Sequence, residues 1–150
     1  VIDPGCEAAT AEYQARDAAV NEYVSEAFAY AKELGLSVVM VGIQANIFGG
    51  PCGTNGDNPP AACEVNQYAC GCCDITQPVH VSTGFVNFWD TMVREANSFD
   101  GPVYLIHGDS HYFQIFPNPT GDAENLVALQ VPGSGDIGWV EASISGSDVS

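Results

Sequence analysis

Two imidazoles and a carboxylate fall within five residues at His107-Gly108-Asp109-Ser110-His111. Donors of this kind suit zinc, iron or manganese, which take nitrogen and oxygen ligands. The apolar run Pro102-Val103-Tyr104-Leu105-Ile106 delivers them. A buried strand ending in a turn holds ligands rigidly while leaving a metal open to solvent. The same five residues also suit an ordinary turn in which both histidines hydrogen-bond to loop backbone. The remaining histidine, His80, lies just after Pro78 in a stretch rich in turn formers and reads as a loop residue.

The second group of reactive side chains is the cysteines. Cys6 stands alone, while Cys52, Cys63, Cys70, Cys72 and Cys73 crowd into one stretch. So many thiols in a short region point to disulfides and an oxidising compartment, and hence to a secreted, extracellular protein. A zinc or redox site on Cys70-Gly71-Cys72-Cys73 is the rival, but paired CxxC knuckles are missing and no histidine lies at finger spacing. Adjacent Cys72 and Cys73 are strained as a mutual pair, so each is expected to reach a different partner. The sequence does not rank the connectivities, and sequence outside this chain is an alternative partner for Cys6.

These groups must be positioned by the elements around them. From about Glu7 to Leu34, Tyr13, Val20, Tyr23, Val24, Ala27, Phe28, Ala31 and Leu34 recur at helical spacing and describe one face of a long helix. Gly35 stands where a C-terminal cap belongs. The run Leu36 to Ile43 is short, β-branched and apolar at both parities, which predicts a strand buried on both faces. Residues 48–82 hold Gly49-Gly50-Pro51, Asn58-Pro59-Pro60 and the cysteine cluster without any sustained period, and read as a long insert loop stapled by disulfides. A second helix is predicted from about Thr83 to Phe99, with a core-facing aromatic stripe of Phe85, Phe88, Trp89, Met92, Val93, Ala96 and Phe99. After the turn at Asp100-Gly101-Pro102, four strands are predicted: Val103 to Ile106, Tyr112 to Phe116, Leu126 to Val131 and Ile137 to Ile144. The polar tail is expected to fray.

The chain has 150 residues, 46% of them hydrophobic, which suits one α/β domain. Nineteen acidic residues against three basic ones give a formal charge of −16, which repels nucleic acid and anionic membranes alike. Such acidity reads first as a solvated surface and second as a collector of divalent cations. No apolar run approaches the roughly 20 residues of a membrane span, and no signal peptide is visible.

The order of these features is the informative part. Glu12 and Arg16 lie on the long helix, then come Val38-Val39-Met40-Val41-Gly42-Ile43-Gln44-Ala45-Asn46, the aromatic helix, Pro102 to His111 and a closing β meander. This arrangement resembles the calcineurin-like metallophosphoesterases over nearly the whole chain apart from the cysteine insert. The resemblance implies part of a layered α-β-β-α sandwich with two long helices, about five strands and a disulfide-rich loop. It also implies a metal-activated water or hydroxide attacking the phosphorus of a small phosphate ester, with zinc, iron or manganese as cofactor.

Residue by residue, Gly108-Asp109-Ser110-His111 matches the family's last Gly-His-x-His block. His111 corresponds to a metal-binding histidine, and Asp109 replaces the other with a carboxylate. Gln44 stands where the family's upstream strand ends in a ligand histidine, with Asn46 two residues on, and a carboxamide is a poor transition-metal ligand. Gln44 instead suits orienting a water or a ligand histidine. His107 is a weaker ligand candidate. The family's Asp-x-His, Gly-Asp-x-x-Asp and Gly-Asn-His blocks do not occur in this chain.

The expectation is therefore a C-terminal segment of a secreted phosphoesterase. A missing N-terminal half, or another copy of the chain, would cover a sheet face that soluble monomers avoid exposing. The same departures fit a non-catalytic extracellular structural or self-assembling module derived from that fold. A cation-binding acidic module without this ancestry is the remaining reading.

Overall fold

The computed structural model describes residues 4–48, 84–108, 113–133 and 138–143, with side chains from residue 11 onward. Within them the chain is an α/β fold of two helices and a four-stranded mixed sheet. Helix α1 spans Pro4–Glu33 and strand β1 Val39–Gly42. Helix α2 spans Val86–Asn97, followed by β2 at Val103–His107, β3 at Gln114–Pro117 and β4 at Leu126–Gln130.

Helix α1 begins at a proline, where a missing N–H costs nothing, and contains neither glycine nor proline from Cys6 to its end. Gly35 ends it as expected: its φ is +63°, and Leu36 N–H donates back to the Ala31 carbonyl at 2.9 Å. Only Val24, Phe28 and Ala31 of its apolar face are buried, while Tyr13, Val20, Tyr23 and Leu34 are exposed. Among the described residues the helical face marked by the spacing is thus buried over only part of its length, since a 12-residue α2 cannot cover a 30-residue α1.

The aromatic stripe of α2 does face the core, with Phe88, Trp89, Met92 and Ala96 buried and Phe99 following. Phe99 meets Phe28 edge to face at 5.9 Å, joining the helices. Each large side chain taken fully out of water contributes about 1.5–3 kcal/mol before entropy is counted. A polar clamp lies beside this seam: Lys32 reaches Glu95 at 3.4 Å and Ser98 at 2.7 Å, and Arg94 reaches Glu95 at 3.0 Å. Burial works to raise the Glu95 carboxyl, but hydrogen bonds from Arg94, Ser25 and Lys32, with the Lys32 charge, hold it below its ordinary value. The Lys32 side chain is more than a third exposed, so Lys32→Ala is expected to cost only about 0.5 kcal/mol in urea unfolding, and less in high salt.

The sheet order is β1-β2-β4-β3, with β1, β2 and β4 parallel and β3 antiparallel to β4. Val103, Leu105, His107 and Leu126, Ala128, Gln130 point at the helices and are buried. Both helices lie on that face, since their buried residues join those of β2 and β4 in one core cluster. Asn125 sits at the hub of the helix-to-strand turn: its Nδ2 donates to the carbonyls of Ala96, Phe99 and Gly101 at 2.8–3.0 Å. Asn118 takes the left-handed turn between β3 and β4 at φ +47°, and its Oδ1 accepts from Ala123 N–H.

Three further expectations change. Strand β1 is not buried on both faces: Val39 and Val41 are half-buried and Met40 and Gly42 exposed, because β1 is an edge strand. The closing meander is replaced by insertion of β4 between β2 and β3, which puts the two most apolar, alternately buried strands at the centre and leaves exposed β3 at the edge. The fifth strand, expected at 137–144, is not formed in the described residues 138–143, where Trp139 is 85% exposed. Gly138, Ala142 and Ser143 give that segment little to bury. The insert loop, apart from buried Phe48, and the side chains of Cys6, Cys52, Cys63, Cys70, Cys72 and Cys73 lie outside the described residues.

Candidate functional site

Because β1, β2 and β4 run parallel, their carboxyl ends share one edge of the sheet, where α/β proteins hold ligands. Gln44 follows β1, His107 ends β2 with Gly108 just after it, and Gln130 ends β4. Backbone hydrogen bonds lock these ends together: Ile43 N–H to Ile106 carbonyl at 2.9 Å, Gly108 N–H to Gln44 carbonyl at 3.2 Å and Val131 N–H to His107 carbonyl at 2.8 Å. The upstream block and the His107-Gly108 turn, far apart in sequence, are therefore neighbours.

His107 is buried, 1% exposed, and among the described residues neither ring nitrogen finds a hydrogen-bond partner. Its imidazole lies 5.3 Å from the Phe48 ring, which in turn meets Trp89 edge to face at 5.2 Å. Burial pushes its pKa down to about 4 against an upward pull from the Gly108 backbone, so the ring is neutral at neutral pH. A buried polar group without a partner costs about 1–3 kcal/mol, and natural folds keep few of them.

Opposite His107 in the ladder stands Gln130, also buried, whose Oε1 accepts from Asn46 Nδ2 at 3.4 Å. Asn46 Oδ1 accepts from Phe48 N–H at 3.0 Å, which shapes the turn carrying Phe48 into the core. Gln130 was missed in the sequence. Its signal was there, since it occupies the inward parity of Leu126 and Ala128 and is polar at that position. Gln44 is exposed at its side chain, and a methyl group at Gly108 would make only ordinary contacts with Gln44 and Val131. Packing of the described residues does not require glycine at 108.

Asp109, His111 and His80 lie outside the described residues. Among the described residues no three of histidine, cysteine, aspartate and glutamate gather as a metal site. One buried imidazole with the carboxamides of Gln44, Asn46 and Gln130 does not suit a transition metal, which takes about three stronger donors. No helix among the described residues is long and apolar enough to cross a membrane. Comparison with protein-family models, with curated proteins and with solved structures gives no match.

Proposed function

We propose that the chain is the C-terminal segment of a secreted, metal-dependent phosphoesterase of calcineurin-like type, acting on small phosphate esters. The observation that carries this reading is the buried His107, without hydrogen-bond partners among the described residues, at the shared carboxyl end of three parallel strands. A folding role alone would have favoured an apolar residue there, because no described side chain offsets the cost of desolvating the imidazole. The backbone bond from Gly108 to Gln44 adds support, since it joins the two blocks on which the resemblance rests. In this proposal Asp109 and His111 supply ligands to zinc, iron or manganese, and the remaining ligands come from sequence outside this chain. The described sheet is then one layer of a two-layer β core.

The test is hydrolysis of an aryl phosphate by the full-length natural polypeptide with manganese or zinc. Turnover is expected, with His111→Ala lowering kcat/KM by about a hundredfold. No turnover with either metal, or an unaltered rate in His111→Ala, overturns the reading.

One observation favours a non-catalytic, self-assembling module instead. The sheet face opposite the helices carries Met40, Tyr104, Ile106, Phe113, Ile115 and Leu129 along an open groove of about 420 Å³. In this reading a second copy of the chain covers the apolar surface. Size-exclusion chromatography with light scattering separates the readings: a strict monomer with stoichiometric metal sinks the assembly.

A further inference from the structure

Among the described residues a second open groove, of about 460 Å³, lies between the first half of α1, the start of α2 and the residue following β1. The rings of Tyr13, Phe85 and Phe88 line it, with Val20 and Ile43. The Tyr13 hydroxyl donates to the Gly84 carbonyl at 2.6 Å, and its ring lies against Gly84, where a Cβ would stand 3.4 Å from it. Gly84 takes a φ of +73°, a conformation that a side chain would strain. The ring is thereby fixed in place before any ligand arrives, which lowers the cost of binding.

One carboxylate shares this lining. Asp17 is half-buried, its Oδ2 accepting from Asn87 Nδ2 at 2.7 Å and its Oδ1 from Asn21 Nδ2 at 3.2 Å. Both donors are neutral amides, so they hold the carboxylate in position without cancelling its charge. The chain has only three lysines and arginines, and all are engaged with other carboxylates: Arg16 with Glu12 at 3.1 Å, Lys32 and Arg94 with Glu95 at 3.4 and 3.0 Å. Arg16 also borders the groove, but Glu12 offsets it, and the uncancelled Asp17 charge sits in a chain of formal charge −16. Such a site repels anions. Aromatic rings beside a fixed carboxylate attract a cation, the rings through the negative potential of their faces. Because each Asp17 oxygen already accepts a hydrogen bond, the cation that fits best needs charge and apolar contact and no N–H donor. That describes a quaternary ammonium, and the groove has the volume to take one small molecule.

We propose that this groove binds a small quaternary ammonium ion, a ligand site that goes beyond the phosphoesterase reading and does not rest on it. On the full-length natural polypeptide, choline is expected to bind saturably by ligand-observed NMR, with a Kd in the millimolar range. Its carbon isostere 3,3-dimethylbutan-1-ol differs only in lacking the charge and should bind about fivefold more weakly. Asp17→Asn removes the carboxylate charge at nearly constant shape and should bring choline to the level of the alcohol. Tyr13→Leu should weaken choline about threefold, whereas Tyr13→Phe, which keeps the ring, should leave it nearly unchanged. The comparison of choline with the alcohol uses the unsubstituted chain, so it decides even where a variant fails to fold. Absence of saturable choline binding, equal affinity for the alcohol, or unaltered choline affinity in folded Asp17→Asn or Tyr13→Leu overturns the proposal.

Discussion

Gly101→Ala is expected to destabilise the chain by about 3 kcal/mol or more, seen as a large fall in the urea midpoint. A Cβ at this position would overlap the Ser37 carbonyl and press on the edge of the Phe99 ring. The Ser37 contact is with backbone, which cannot rotate aside as a flexible side chain would. The same close approach brings Pro102 beside the start of β1, where Val39 N–H donates to its carbonyl at 3.2 Å. Room for a methyl group would come only from parting β1 from β2 or unseating Phe99. Gly42→Ala is the control: a Cβ there meets nothing within 4 Å, and the midpoint should barely move.

The second large effect is a dependence of stability on pH. His107 titrates near 4 in the folded chain against an ordinary 6.5, so folding favours its neutral form. Its contribution is complete above about pH 6.5 and is lost as pH falls from there through about 4. Between pH 7 and pH 5 the fold should lose about 2 kcal/mol on this account. Glu95, held below 4.5, also favours folding only when ionised, but its loss belongs to the range beneath that value and leaves this window clear. Urea titrations with a chelator present test the claim. His107→Leu should flatten the profile and raise stability at neutral pH by about 1–3 kcal/mol, because it removes two unpaired polar atoms. A profile equally steep in His107→Leu would assign the acid sensitivity elsewhere.

Local signals were legible to the extent that local physics decides them. The Gly35 cap, the stripe of Phe88, Trp89, Met92 and Ala96, and the strands at 103–107 and 126–130 lie close to where spacing and turn chemistry put them. Long-range matters were not legible. Nothing in the run from Leu126 to Gln130 says that it slots between β2 and β3, because that depends on which strands compete for the centre of the sheet. Gly101 read as one more turn residue, and only the approach of Ser37 reveals its steric role. At the candidate site, the sequence ranked His107 behind His111. Its burial beside Phe48 and opposite Gln130 is set by partners far away in the chain.

The placement of β1 at the rim of the sheet also orders the steps by which the chain assembles and opens. Strands β3 and β4 meet across a short turn, whereas Val39 must find Val103 across the entire insert and α2. Closing that long span costs chain entropy that grows only slowly with length, about 0.6 kcal/mol per doubling, so the insert can be lengthened with little penalty to the sheet. It also makes β1 a late arrival and an early departure, held by one ladder and half-exposed side chains. Since Gln44 follows β1 and Gly108 follows β2, peeling β1 would unfasten the two blocks of the site while the helices and the β2–β4 ladder stay in place.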